Sequence, residues 1–384
     1  MSAPEMNHNI PKILFVAGGT GGHINPALAV SQALHEINGR VETKFICGSR
    51  DVEVSIYRNQ GIHPVILDID SMGSGIPGRA IASLRLLKCI LKARRFLKRW
   101  RPDRIVGQGG YIIAPVIAAA RNLGIPYDLQ EQNSVPGKAN RFFGKRAERI
   151  FCSFEEAVDE LRSSGCRSEY TGMPLRKEAL VDRSLSNRKK AREKRGLHPD
   201  WITLLIMGGS QGARGMNECV LKTLEELDHN EMTPPFQCLW SVGEKNMEEL
   251  NRRLRQCNLK RIGVKVEPYI RDVVSAFEAA DVAVSRAGAC SVWEITANHI
   301  PAIFIPLPGS KDNHQEKNAR KAERTGSAVL MSQQEATDGR LTEVLSQMVD
   351  SDFIRKKMAR AAVSFNNKNS AEIIAKKILE KLEK

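Results

Sequence analysis

His23 is the first residue whose type and setting suggest chemistry, because it ends the run Gly18-Gly19-Thr20-Gly21-Gly22-His23 directly after the apolar stretch Lys12 to Ala17. A strand that enters a glycine loop and then a helix aims backbone N–H groups, and about half a positive charge, at the space beyond the sheet. Diphosphates suit such a place. An imidazole there, with an ordinary pKa near ~6.5, can take a proton from an attacking hydroxyl. The same opening recurs where Trp201 to Met207 runs into Gly208-Gly209-Ser210-Gln211-Gly212-Ala213-Arg214. Polar groups also follow apolar runs at Gly107-Gln108-Gly109-Gly110-Tyr111, at Gln130-Glu131-Gln132-Asn133 and at Gly288 to Glu294. Glu131 is therefore a second candidate for the base.

Several chemistries are disfavoured by the same residues. The first loop lacks the Gly-Lys-Ser/Thr ending of a Walker loop, and Ile24 stands where a dinucleotide fingerprint needs its third glycine. The second loop spells Gly208-x-Ser210-x-Gly212, the nucleophile elbow of α/β-hydrolases, with His229, His299 and His314 as downstream histidines. A hydrolase, however, explains neither the first loop nor the doubling. Asp68-Ile69-Asp70 matches the short Asp-x-Asp signature of metal-dependent transferases, and alternation along a strand would put both carboxylates on one face. Such a short match says little, and a solvated strand face accounts for it. The eight cysteines are scattered without a C-x-x-C pair, which reads as reduced thiols. No metal and no cofactor are expected.

The elements that must position these residues read as α/β. Short apolar runs recur at Lys44 to Cys47, Pro64 to Ile69, Arg104 to Val106, Tyr127 to Leu129 and Arg149 to Cys152, with helix-like segments between most of them. That alternation predicts largely parallel sheets with helices on both faces. Asn25 is expected to cap the first helix, with Pro26 at its first position. A chain of 384 residues with 42% hydrophobic content suffices for two cores of roughly 150 to 200 residues each. The break Gly172-Met173-Pro174 places the boundary there, giving domains 10–175 and 176–365. The segment 366–384 carries a helix, Ala371 to Leu382, whose Ile374, Ile378 and Leu382 share a stripe able to pack back on the first domain.

The net charge of +14 calls for an anionic partner. Residues 79–101 hold Arg85, Lys88, Lys92, Arg94, Arg95 and Lys98 among others and no acidic residue, interleaved with Leu84, Leu87 and Leu91 on one helical stripe. An amphipathic helix packed on its own domain would bury that stripe, whereas a membrane-docking helix would show it to an anionic lipid surface. No segment approaches the ~20 consecutive apolar residues of a spanning helix. The run Ile13 to Ala17 is too short for the core of a signal peptide.

Gly18 to His23 with Pro26, Glu131-Gln132-Asn133, Gly208 to Arg214, Ser285-Arg286-Ala287-Gly288-Ala289, and Lys311-Asp312 with Gln315 and Asn318 occur in the order seen in one family. Over about residues 12 to 330 the chain resembles the MurG family, the glycosyltransferases of family 28 that convert lipid I to lipid II in peptidoglycan synthesis. The resemblance implies a GT-B fold, two Rossmann-like domains facing across a cleft, with the lipid acceptor on the first and UDP-GlcNAc on the second. It implies that Thr20, Gly21 and Gly22 border the sugar and diphosphate, and that Asn133 hydrogen-bonds the GlcNAc. Arg176 and Ser210 would face the diphosphate, and the backbone at Ile270 would read the uracil. Ala289, Cys290, Ser291, Val292, Trp293 and Glu294 would line the nucleoside, with Glu294 on the ribose, and Gln315 would bind the sugar. Ser291-Val292-Trp293-Glu294 also reads as a Ser-x-x-Glu capping box, so Glu294 carries two expectations. Gln130 departs from the family's common histidine and Met173 from its asparagine; Cys290 and Trp293 are unusual in the nucleoside loop. The implied setting is the cytoplasmic face of the bacterial inner membrane, peripherally bound through 79–101, with no nucleic-acid partner. The alternatives are a related UDP-sugar transferase with another lipid acceptor, and a non-catalytic UDP-sugar-binding scaffold.

Overall fold

The computed structural model describes residues 10–69, 76–209, 213–365 and 369–382. They divide into two compact units, one comprising the residues up to Arg176 and again from Asn369, the other running from Lys177 to Phe365. In the first, the strands β1 (Lys12–Val16), β2 (Glu42–Cys47), β3 (Val65–Ile66), β4 (Arg104–Gly107), β5 (Tyr127–Glu131), β6 (Ile150–Cys152) and β7 (Ser168–Tyr170) form one sheet in the order β3-β2-β1-β4-β5-β6-β7. Every pairing is parallel, Val16 lying opposite Ile46 on one side and Gly107 on the other. In the second, β8 (Ile202–Met207), β9 (Phe236–Ser241), β10 (Ile262–Glu267), β11 (Val282–Ser285), β12 (Ala302–Phe304) and β13 (Ala328–Leu330) run parallel in the order β10-β9-β8-β11-β12-β13. The strand order reverses between β1 and β4 and again between β8 and β11, and in open parallel sheets ligands bind outside the strands' carboxyl ends at that reversal. Both glycine loops leave the sheet there.

Alternation along the strands sends side chains to two cores in the first unit. Leu14, Val16, Ile46, Ile105, Leu129 and Ile150 face the helices Ile76–Trp100 and Ile113–Asn122. Ile13, Phe15, Phe45, Val106 and Phe151 face the helix Gly21–Ile37 and the terminal helix Ser370–Leu379, which buries Ile374, Ala375 and Ile378 there. Burying each large aliphatic side chain contributes about 1.5 to 3 kcal/mol as an upper estimate, so this helix is firmly seated. Lys377 adds an ion pair to Glu169 at 2.7 Å. The second unit packs Leu204, Ile206, Trp240, Val282 and Ile303 around its own sheet.

The first helix differs from the sequence reading. It begins at Gly21 with Thr20 as N-cap, so Asn25 caps nothing and Pro26 lies inside the helix. His23 and Ile24 both direct their N–H groups to the Thr20 carbonyl, which starts the helix a turn earlier than the proline suggests. The cost of an interior proline is a missing hydrogen bond, and the glycines that precede it adopt helical angles without side-chain conflict.

Candidate active site

The loop after β1 turns on Gly19, whose φ of +95° only glycine adopts comfortably. A Cβ on Gly19 would lie 3.8 Å from His23 Nδ1 and 3.9 Å from Tyr111 Cε1, and one on Gly110 would lie 3.9 Å from His23 Cε1. The imidazole is thus walled by two glycines, one from the loop after β1 and one from the loop after β4. Its Nδ1 is buried without a hydrogen-bond partner. Burial lowers the His23 pKa below the ordinary histidine value, and the Glu53 carboxylate opposes that shift. A neutral imidazole at a helix N-terminus beside a glycine loop can accept a proton. Thr20, Gly21 and Gly22 stand in the same turn, with Thr20 as the N-cap.

Glu131, the other candidate base, is differently employed. Its Oε1 accepts from the N–H and side-chain amide of Asn133, and its Oε2 accepts from the Gly137 N–H and the Asn140 amide. Burial raises its pKa, and these hydrogen bonds pull it back. A carboxylate accepts about four hydrogen bonds, so this one has no acceptor site left for a substrate proton. These bonds tie Glu131 to the loop that carries Asn133. Beneath the same strand ends, Gln132 Nε2 donates to the Gln108 and Gln130 side-chain oxygens, so Gln130 belongs to a buried amide cluster.

In the second unit Ser210 and its neighbours Gln211 and Gly212 lie outside the described residues. After β11 the Arg286 guanidinium turns inward, donating to the carbonyls of Ile305 and Pro306 and to Gln333. Asn318 donates to the Ala287 carbonyl, tying two of the family segments together, and Gln315 accepts the Leu307 N–H. A cavity of about 690 Å³ borders that loop, with Leu307, Ser310, Asn313 and Gln333 on its walls. The helix Ala289–Ala297 starts at Gly288, with no side-chain cap. Its turn leaves Cys290, Ser291 and Glu294 partly exposed and buries Val292 and Trp293. Both side chains are buried, and Trp293 packs edge-on to Phe365 at 4.6 Å with Lys321 over its ring. The capping box is corrected, since Ser291 lies within the first turn rather than at the N-cap. Ile270 is buried in the loop after β10. Arg176, at the end of the first unit, has a buried Nε without a partner.

The Asp-x-Asp segment contributes little to any site. Asp68 is exposed past the end of β3 and accepts from Ser49, and Asp70 lies outside the described residues. Among the described residues no cluster of three or more His, Cys, Asp or Glu side chains is arranged to hold a metal.

The helix Ile76–Trp100 buries Cys89, Ala93, Leu97 and Trp100, a stripe different from the one the leucines suggested. Leu84, Leu87 and Leu91 are 57%, 52% and 42% exposed, and Lys88, Arg94, Arg95, Lys98 and Arg99 stand around them in solvent. Lys92 is the exception, donating to the Ile66 carbonyl at 2.8 Å. No helix among the described residues is long and apolar enough to cross a membrane.

Sequence reasoning missed Glu53, a buried carboxylate behind the glycine loop that accepts from Gly48 and Tyr111. The helix Asp51–Arg58 is short and amphipathic, and nothing in its spacing separates this acid from its exposed neighbour Asp51.

Comparison with known proteins bears on this geometry directly. Residues 13–152 match the model of the glycosyltransferase family 28 N-terminal domain, and residues 203–378 that of the family 28 C-terminal domain. A protein of Carboxydothermus hydrogenoformans named UDP-N-acetylglucosamine--N-acetylmuramyl-(pentapeptide) pyrophosphoryl-undecaprenol N-acetylglucosamine transferase is 34% identical, over 91% of this chain and 92% of its own. The crystal structure of Acinetobacter baumannii MurG is similar with a TM-score of 0.73 and 26% identity, covering 96% of this chain and 99% of that one. The UDP-GlcNAc 2-epimerase of Neisseria meningitidis shares the fold alone, with a TM-score of 0.70 at 15% identity over 96% of this chain and all of that one.

Proposed function

This chain belongs to glycosyltransferase family 28 and has its GT-B fold, and on that premise we propose that it transfers N-acetylglucosamine from UDP-GlcNAc to lipid I, releasing UDP and giving lipid II for peptidoglycan synthesis. The observation that carries this reading is the agreement of the matched relative, over nine tenths of the chain, with glycine loops that both stand at their sheets' switch points.

The reaction asks for three things: a base for the acceptor hydroxyl, an anchor for the donor, and compensation for the charge that develops on the leaving diphosphate. His23 is the base. Its place between Gly19 and Gly110 confines the ring, and neutrality favoured by burial keeps a lone pair ready. The acceptor hydroxyl attacks the anomeric carbon from the face opposite UDP and the product is inverted. Helix N-terminal amides at Thr20 to Gly22, with Arg176 and Ser210, stabilise the diphosphate electrostatically without a metal. On the donor side the uncapped start of the helix Ala289–Ala297 meets the nucleoside, with Glu294 on the ribose, Ile270's backbone on the uracil, and Gln315 and Asn133 on the sugar. Glu131 fixes the loop that offers Asn133.

The protein works at the cytoplasmic face of the membrane, where its acceptor is anchored. The exposed leucine stripe and the cationic side chains around it in 79–101 dock on anionic headgroups. Purified protein in detergent, given UDP-GlcNAc and lipid I, should release UDP and form the disaccharide lipid. UDP release with a different lipid acceptor and none with lipid I would move the chain to another transferase, and release with neither would leave a binding scaffold.

A further inference from the structure

Behind the first glycine loop sits a carboxylate that the mechanism above does not use. Glu53 is fully buried, its Oε2 accepting the Gly48 N–H at 2.7 Å and its Oε1 accepting the Tyr111 hydroxyl at 2.6 Å. Keeping an acid out of water with neutral donors is costly, so its place calls for a reason. Two glycines leave room for it. A Cβ on Gly18 would stand 2.5 Å from Glu53 Oε2, and one on Gly48 would stand 2.8 Å from the same oxygen and 2.5 Å from the Tyr111 oxygen. The glycines at the ends of β1 and β2 therefore fit this carboxylate as well as any ligand.

Glu53 reaches His23 through what it holds. The Tyr111 ring and the imidazole both come within 4 Å of one point, the Cβ position of Gly19, and Arg50 stacks over the tyrosine ring at 5.2 Å. Gly110, the other wall of the imidazole, is the residue before Tyr111, and its own Cβ position is 3.9 Å from the Gly18 carbonyl. One carboxylate thus fastens the tyrosine and abuts the turn that together box the ring in.

We propose that Glu53 is a positioning residue for His23, its carboxylate holding Tyr111 and the Gly18-Gly19 turn so that the imidazole keeps its place beside the loop. This rests on the reading of His23 as base. The ionisable groups around the ring are Glu53 and Tyr111, with Arg50 beyond the tyrosine. Burial lowers the His23 pKa, while the Glu53 charge raises it. Removing that charge therefore moves His23 titration, and the acid limb of kcat/KM, to lower pH.

The test is Glu53→Gln, read by NMR titration of His23 and by kinetics with UDP-GlcNAc and lipid I. We expect His23 titration to move to lower pH, kcat to fall roughly tenfold and KM for UDP-GlcNAc to stay within about twofold. Tyr111→Phe keeps the charge and should lower kcat with the titration in place, a split that a purely structural acid does not produce. A folded Glu53→Gln whose His23 titration and kcat match the parent overturns the proposal. If Glu53→Gln does not fold, Glu53→Asp keeps the charge with a shorter reach, and parental kcat in that variant overturns it equally. Should His23→Ala turn over normally while Glu53→Gln still moves the titration, the base reading fails and the positioning role stands.

Discussion

At the carboxyl end of β1 the glycine loop is backed by ionisable side chains, His23, Glu53 and Tyr111, whereas after β11 Arg286 is turned inward and the helix start offers Gly288, Ala289, Cys290 and Ser291. The two sheets have the same order around their first strands, so topology does not account for the difference. Two buried ion pairs, one in each unit, lie instead near the opposite edge. Asp281, just before β11, accepts Arg188 and Arg192, and Asp128, early in β5, accepts Arg104. The Arg104–Asp128 pair ties β4 to β5, and the Arg192–Asp281 pair ties the start of β11 to the helix Leu185–Lys194. On the proposed reading, the first unit would move the proton and the second would hold the donor, and the contrast is open to test.

His23→Ala is the strongest way to break that contrast. It should lower kcat by ~10² to 10⁴-fold with the fold intact, and steady-state kinetics beside a thermal melt will show it. Near-parental turnover would take proton chemistry away from the first unit. The lowered pKa also makes a stability statement. The folded chain binds this proton less well than the unfolded chain, so stability rises with pH from the lowered value up to about 6.5, and the variant should lack that slope.

The exposed helix of the first unit sharpens the contrast at its outer surface. Lys88, Arg95, Lys98 and Arg99 are exposed, and each cation near an anionic surface contributes up to ~1 kcal/mol. Changing these four to Gln should weaken binding to anionic vesicles by about 100-fold, less than the full sum, with UDP affinity unchanged. Lys92 is left intact because it fastens the helix to Ile66. Sedimentation equal to the parent's would make the helix an ordinary solvated face.

Glu294→Ala probes the second unit. If its carboxylate holds ribose hydroxyls, UDP binding should weaken by ~1.5 to 3 kcal/mol, roughly ten- to a hundredfold in Kd, as read by calorimetric titration. Unchanged affinity would remove the ribose contact.

Much of this was legible because it is local. Apolar runs marked β1, β2 and β4 to β6, and the doubled strand, loop and helix opening located both switch points. β7, Ser168–Tyr170, was not legible, since it lacks an apolar run and owes its strand to pairing with β6. Glu53 escaped because its burial depends on Gly48 and Tyr111, and the hydrogen bonds of Glu131 were not legible because its partners at Asn133, Gly137 and Asn140 only converge once the loop folds. The leucine stripe of Ile76–Trp100 was visible, but periodicity could not say which stripe the sheet would take. Small Ala93 and Cys89 let the helix approach closely, and the leucines were left outside.

The smallest expected effect separates two serines that look alike in sequence. Ser332 is a true N-cap: it accepts the Glu335 N–H at 3.1 Å while the Glu335 carboxylate accepts the Ser332 N–H at 2.7 Å. Ser291, followed likewise by an acid three residues on, sits inside a helix whose cap is Gly288. Ser332→Ala should therefore cost about 1 kcal/mol in a melt and leave UDP affinity alone. The hydrogen bonds from Ser332 lower the Glu335 pKa, so the carboxylate half of the box is present above the ordinary carboxylate range and lost as pH falls through the lowered value. The stability gap between Ser332→Ala and the parent should narrow in that acid range. Ser291→Ala removes no cap, so its stability should change by less than about 0.5 kcal/mol. It should instead weaken UDP by about 0.5 to 1.5 kcal/mol, the net value of one neutral hydrogen bond. If Ser291→Ala melts early and binds UDP like the parent, the start of this helix is closed by its own side chain in solution. The second unit would then hold its ligand elsewhere.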